Sequence, residues 1–251
     1  MPTKKKTKSN NSVIAQVKNA YKIYGTDATE VRALDGITID FNKGVFTAIM
    51  GPSGSGKSTL LHCAAGLDKL SEGTALIGKH DVGRLKDKQL TLLRRKSVGF
   101  IFQSFNLVPT LTAKENILLP LSIAGKRPNS KWFDNLIDVL GLANRLDHLP
   151  SEMSGGQQQR VAAARALVSR PDIIFADEPS GNLDSKSGAE LLNFLRKAAT
   201  EYGQAIVMVT HDANAAAYAD KVIMLKDGKV VDEISKPTVD KILDKLKKLG
   251  D

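Results

Sequence analysis

Two short runs of residues carry most of the chemistry that this chain can do. Gly51, Pro52, Ser53, Gly54, Ser55, Gly56, Lys57 and Ser58 follow the pattern G-x-x-x-x-G-K-[S/T]. Glycines at these spacings let successive backbone N–H groups turn inward and cradle phosphate oxygens, and the N-terminus of the helix that follows adds the positive end of its dipole. Lys57 would place a charge near the terminal phosphates, and Ser58 would offer a hydroxyl to Mg²⁺. The second run ends in adjacent carboxylates, Asp177 and Glu178, after the apolar stretch Asp172–Ala176. At the carboxyl end of a buried strand, Asp177 can hold a metal through water and Glu178 can polarise an attacking water as a general base. An acidic pair in such a place is by itself more often a helix start or a solvated turn. Paired with the glycine loop, it completes a site for cleaving a phosphate bond.

The elements that must position these groups are legible as periodic runs. Val13–Tyr24 and Ile37–Phe41 read as strands, with Asn42, Lys43 and Gly44 as the turn that follows. Val45–Met50 is a continuous apolar run that enters the glycine loop, and Thr59–Ala65 leaves it as a helix, the opening of a parallel α/β unit. Phe133, Leu136, Ile137 and Leu140 fall at helical spacing, closed by Gly141, so residues 104–158 read as a mostly helical insertion. Strands return at Asp172–Ala176 and Ala205–Thr210, with a helix bearing Leu191, Leu192, Leu195 and Ala198 between them. Val222–Leu225 and Val230–Glu233 flank Asp227-Gly228, a hairpin signal, and Val239, Ile242, Leu243 and Leu246 give a last amphipathic helix.

Further motifs make the chain resemble the ABC ATPases. Ser154, Gly155, Gly156, Gln157 and Gln158, ahead of a helix, look like that family's signature, with Met153 where Leu is usual. Gln103, in Phe100-Ile-Phe-Gln, resembles its Q-loop glutamine. Ser180 to Asp184 resembles its D-loop, and His211 its switch histidine. Tyr24 stands where the adenine-stacking aromatic belongs, with Tyr21 as the alternative. The resemblance spans Val13 to Glu233. It implies a P-loop NTPase core of α/β class, with a mostly parallel sheet, an N-terminal antiparallel β part and an inserted α-helical subdomain. The expected division is a basic disordered tail over 1–12, the ATPase domain over 13–235 and a C-terminal amphipathic helix over 236–251.

The family's arrangement implies roles for named residues. Glu178, His211, Gln103 and Lys57 would be catalytic. ATP would lie on Tyr24, on Gly51 to Thr59, and on Ser154, Gly155, Gly156, Gln157 and Asp184. Mg²⁺ would lie on Ser58, Gln103 and Asp177. The signature of one chain would face the γ-phosphate held by another, so ATP joins a homodimer and hydrolysis releases it.

Composition bounds the rest. With 251 residues, 42% of them hydrophobic and 25% charged, the chain can build one large core or a core with an inserted subdomain. No apolar run approaches the roughly 18 residues of a membrane span. The first residues lack the apolar stretch of a secretory signal. A single cysteine, Cys63, excludes an internal disulfide framework, fits a reducing cytoplasm and reads as a small buried hydrophobe on a helix. The net charge of +9 draws on Lys4, Lys5, Lys6 and Lys8, which read as a solvated end, with weak attraction to anionic lipid as the alternative. No aromatic–basic interleaving points to nucleic acid. His62, His80 and His148 read as packing or surface residues.

The resemblance therefore implies the ATP-hydrolysing subunit of an ABC transporter or mechanotransmission complex. It would sit at the cytoplasmic face of the membrane and drive a separate transmembrane permease with an extracytoplasmic domain, for export or extraction. Gly181 to Asp184, Phe105 to Pro109 and Gln157 to Arg160 resemble the lipoprotein-release, macrolide-efflux and cell-division branch, with bacitracin-resistance ATPases close by. The alternative is a soluble ABC ATPase acting on ribosomes or DNA. The apolar Phe105 and Leu107 read either as a cleft receiving a short permease helix or as a plug between core and insertion.

Overall fold

The computed structural model describes residues 12–26 and 29–250, so the basic segment ahead of Ser12 lies outside the described residues. The chain opens with an antiparallel pair, β1 (Val13–Tyr24) and β2 (Val31–Asn42). Then β3 (Phe46–Met50) enters the glycine loop and α1 (Lys57–Ala64) leaves it. Next come β4 (Glu72–Ile77), β5 (His80–Asp81), α2 (Asp87–Ser97) and β6 (Val98–Phe102). The middle is helical, with α3 (Ala113–Ile123), α4 (Ser130–Val139) and α5 (Gly155–Leu167). The chain ends with β7 (Ile173–Asp177), α6 (Ser185–Tyr202), β8 (Ala205–Val209), α7 (Ala213–Ala216), β9 (Lys221–Lys226), β10 (Lys229–Ser235) and α8 (Val239–Gly250).

Among the described residues the strands form two sheets, ordered β2-β1-β4-β5 and β10-β9-β3-β8-β7-β6. The first is antiparallel throughout. In the second, β9 to β6 run parallel and β10 pairs antiparallel on the edge. The antiparallel sheet is not built from the N-terminal segment alone, because β4 and β5 return to it after α1.

The parallel strands read as unbroken apolar runs because both their faces are covered. Phe46, Ala48 and Met50 join Ile174, Ala176, Ile206 and Met208 in one core, while Ile49, Phe175, Val207 and Val209 point into the other. The period of two thus feeds two interiors from one sheet. The larger core lies under the helical half of the molecule and takes Ile242 of α8, which rests against α7. The second core fills the space between the sheets around α1, where Leu60, Leu61 and Cys63 are fully buried. Burial pushes the Cys63 thiol up to about 12.

Candidate functional site

Three neighbouring parallel strands end at one level. Ile49 of β3 and Asp177 of β7 both register with Val209 of β8, so the glycine loop, the carboxylate pair and the segment after β8 meet at the carboxyl edge of the sheet. Open parallel sheets bind ligands there. A cleft of about 420 Å³ opens at this edge, lined by Gly54, Lys57, Ser58, Thr59, Glu178 and His211 among others.

The loop's glycines are needed for close backbone approach. A Cβ at Gly51 would collide with the carbonyl of Leu225, and one at Gly56 with that of Ala33, while both residues hold positive φ. Above Gly54 the space is open, with no described residue within 4 Å of where a Cβ would stand. Gly56 starts α1 with no side-chain cap and no acid in the first turn, so the helix presents uncommitted N–H donors to the cleft. The buried hydroxyl of Ser55 has no partner among the described residues. Lys57 Nζ donates to the carbonyls of Gly51 (3.0 Å) and Pro52 (2.7 Å), folded over the loop it belongs to. Burial pulls this ammonium below the usual lysine range, and the charges of Glu178 and Asp177 oppose that shift. Free donors, an open cradle and a cation at its rim fit a polyphosphate chain.

Ser58 Oγ donates to Asp177 Oδ1 at 3.2 Å. This hydroxyl–carboxylate pair at the cleft is an oxygen donor set suited to a hard cation such as Mg²⁺, which takes few protein ligands and keeps waters and phosphates for the rest. Among the described residues no group of three or more His, Cys, Asp or Glu could form an all-protein cage. His62, read from sequence as a packing or surface residue, has its Nε2 3.7 Å from Asp177 Oδ2. Its spacing on α1 gave no warning, because the contact crosses between elements.

Glu178 holds φ of +46°, a left-handed conformation unusual for a residue with a side chain. Its N–H donates to Val209 O at 3.0 Å, and its Oε1 lies 2.8 Å from His211 Nδ1. Strained backbone of this kind concentrates at functional sites. Here it turns the carboxylate towards the histidine that follows β8.

The other expected residues stand outside the cleft. Gln103 Nε2 donates to Asn182 Oδ1 and Asn182 Nδ2 donates to Gln103 O, both at 3.2 Å, so the segment after β6 is tied to the turn after Glu178. Ser154 caps α5 in a reciprocal box: its hydroxyl accepts from Gln157 N (3.3 Å), and Gln157 Oε1 accepts from Ser154 N (2.9 Å). Among the described residues the Ser154 hydroxyl accepts and has no acceptor of its own. Gly155 faces the Phe105 ring, and Gly156 packs so closely on Ser187 that a Cβ would clash. Asp184 caps α6 by accepting from Lys186 N and Ser187 N, and its bonding to Ser187 holds the carboxyl below the usual range. Within one chain, Ser154 to Gln157 and Asp184 are not among the lining of the cleft that holds Lys57. Tyr24 ends β1 beside the Thr59 hydroxyl, whereas Tyr21 lies mid-strand over Gly36.

Several organising residues had no isolated sequence signal. Gln159 is buried and donates through Nε2 to Phe102 O (3.2 Å) and Pro179 O (2.6 Å), joining the ends of β6 and β7. Arg165 donates to the carbonyls of Phe105 (2.7 Å) and Asn106 (2.5 Å), which carry consecutive positive φ angles. Val31, Ala33 and Val209 complete the cleft wall. Of the two readings given for Phe105 and Leu107, the partial burial of Leu107 against the larger core fits the plug. The open grooves lie beside it instead. One of about 300 Å³ includes Phe100, Phe102 and Asn106, and one of about 500 Å³ includes Leu92, Lys126 and Arg170; they share Arg95, Pro120 and Ser169.

The model of the ABC transporter family matches residues 34–181. The bacitracin export ATP-binding protein BceA of Halalkalibacterium halodurans is 47% identical, over 89% of this chain and 89% of that protein. A macrolide export ATP-binding/permease protein, MacB of Chlorobaculum tepidum, is 43% identical over 88% of this chain and 34% of that longer protein. Among solved structures, the post-hydrolysis dimer of the ATP-binding cassette MJ0796 with ADP and Pi superposes with a TM-score of 0.79 and 41% identity, over 89% of this chain and 99% of that one. MJ0796 comes from Methanocaldococcus jannaschii.

Proposed function

Because the chain belongs to the ABC transporter family, we propose that it is the ATP-hydrolysing subunit of an export or extraction system, working as one half of a dimer and driving a separate membrane permease. The observation that carries this reading is the division of the site. Lys57, Ser58, Glu178 and His211 converge at one cleft, while the Ser154 helix start, a second anion-binding terminus, is not part of it. A site split in this way is completed by a second copy whose Ser154 faces the phosphates. The dimeric form of the MJ0796 cassette with ADP and Pi supports that assembly.

In this reading the N–H groups of the Gly51–Thr59 loop and the Lys57 ammonium hold the β- and γ-phosphates of ATP. Lys57 exchanges its bonds to Gly51 O and Pro52 O for phosphate oxygens. Ser58, Asp177 and Gln103 would hold Mg²⁺, which would neutralise charge on those oxygens. Glu178 accepts a proton from the attacking water, and His211, hydrogen-bonded to it, keeps the carboxylate aimed. Ser154 of the second copy donates to the γ-phosphate, so bond cleavage removes what joins the two chains.

Among the described residues no helix is long and apolar enough to cross a membrane, and in this reading the work is passed to another protein. The names of the bacitracin and macrolide export relatives support a permease as that protein and export as the direction. The groove around Leu92, Phe100, Phe102 and Pro120 is the surface offered to it, with Leu92 exposed in its wall.

Mixing two inactive variants tests the split site. Lys57→Ala and Ser154→Arg each damage both sites of their own homodimer, yet their heterodimer contains one intact pairing of Lys57 with Ser154. Activity should return on mixing, and wild-type activity should rise more steeply than linearly with concentration. A mixture that stays inactive, with wild-type turnover strictly proportional to concentration, refutes the shared site.

A further inference from the structure

Tyr24 is 43% exposed at the end of β1, yet it is held more firmly than an aromatic at a strand end requires. Its hydroxyl donates to Asp68 Oδ2 at 2.7 Å, and Lys22 Nζ donates to the same carboxylate at Oδ1, also at 2.7 Å. Lys22 Nζ further donates to Lys69 O at 2.8 Å, and Asp68 Oδ1 accepts from Lys69 N at 2.7 Å. The Lys22 side chain is only 12% exposed, and its ammonium stands 4.6 Å from the centre of the Tyr24 ring. One carboxylate therefore fixes both the edge of the ring and the cation over its face.

Each contact has a consequence for a ligand. The charge-assisted bond at the hydroxyl removes the ring's freedom to swing. The ammonium interacts with the π-system and occupies one face, so a planar ligand can stack only on the other. Desolvation, followed by the neighbouring Asp68, pushes the phenol up to about 12, so it remains a neutral donor to that carboxylate. The hydroxyl of Thr59, which lines the phosphate cleft, lies beside the phenol. Asp68 follows α1, the helix that begins at the phosphate loop. The ring is thereby tied to the same element that presents N–H donors to the cleft.

We propose that Lys22 and Asp68 are positioning residues for nucleotide binding, locking the Tyr24 ring with a single free face on which a purine base stacks while the triphosphate lies on the Gly51–Thr59 loop. This rests on the reading of Tyr24 as the base-stacking residue. A merely structural pair, tying β1 to the turn at 68–69, would predict loss of stability without any selectivity between base and phosphates.

The test compares full-length wild type with Lys22→Met, Lys22→Arg, Asp68→Ala and Tyr24→Ala. It measures KM and kcat for ATP, binding of inorganic tripolyphosphate, which has no base, and melting temperature. Lys22→Met and Asp68→Ala should raise KM for ATP by roughly five- to tenfold, with kcat changed less than about twofold. Tripolyphosphate binding should be unchanged, and Lys22→Arg should restore most of the ATP affinity. If tripolyphosphate binding falls in step with ATP binding, the pair is structural and the proposal is overturned. If Tyr24→Ala raises KM while Lys22→Met and Asp68→Ala do not, the anchoring role fails and the stacking reading stands. If Tyr24→Ala itself leaves KM unchanged, the stacking reading fails and the proposal with it.

Discussion

Replacing Glu178 by Gln separates the two things that its side chain does. The amide keeps the length and the oxygen facing His211 Nδ1, now 2.8 Å away, so the pair can persist. It keeps the backbone strain too, because the φ of +46° disfavours Gln and Glu alike. The bond from residue 178 N to Val209 O does not involve the side chain. Folding and nucleotide binding should therefore be nearly untouched. The amide cannot take a proton from water, however. General-base assistance is worth about 10²–10⁴ in rate, or about 2.7–5.4 kcal/mol of activation free energy. Phosphate release should fall by that factor, with a melting temperature matching wild type. Because ATP joins the two copies in the proposed assembly, the variant should run as a dimer with ATP and Mg²⁺ and as a monomer without them, measured by light scattering after size separation. Turnover at the wild-type rate would remove Glu178 from the chemistry.

Other perturbations follow from packing. Leu107→Asp should lower stability by about 1 kcal/mol through lost burial alone, since the side chain is partly buried on the larger core; a thermal melt matching wild type would contradict this. Leu92→Asp, at a residue 50% exposed beside the open groove, should leave the melt of the isolated chain unchanged and weaken co-purification with the permease. Asn116 is fully buried and bonds to Val108 N, Val108 O, Leu111 O and Thr112 O. Val108 O and Thr112 O keep backbone N–H partners, so Asn116→Ala orphans Val108 N and Leu111 O at about 1–3 kcal/mol for each that water cannot reach, and urea unfolding should show the loss.

The chemistry of the site was legible because its letters sit between apolar runs that admit few alternatives. Phe46–Met50 and Ile173–Asp177 are buried on both faces, so each announces a strand and fixes where the next residues emerge. Elements with mixed surroundings gave weaker signals. β4 begins with exposed Glu72 and Gly73, and α2 has Leu90 as its only buried apolar residue, so neither was named from sequence. β6 contains Gly99, normally a poor strand former, because a Cβ there would press on Ala166 O at 2.6 Å. That reason exists only once α5 has docked. Gln159 and Arg165 are likewise polar letters whose importance comes from carbonyls far along the chain. Leu107 was open to two readings because apolar type alone does not distinguish a docking surface from an interior.

The sealed thiol of Cys63 makes the chain a convenient object for spectroscopy. Only the thiolate attacks alkylating reagents, and this sulfur is both enclosed and held neutral through the usual labelling range. A cysteine introduced at an exposed position will therefore carry a fluorophore or spin label with little background, and no native residue need be replaced first. The slow residual reaction at Cys63 is informative as well. It requires a local opening around α1, so its rate reports the breathing of the structure around the helix that begins at the phosphate loop.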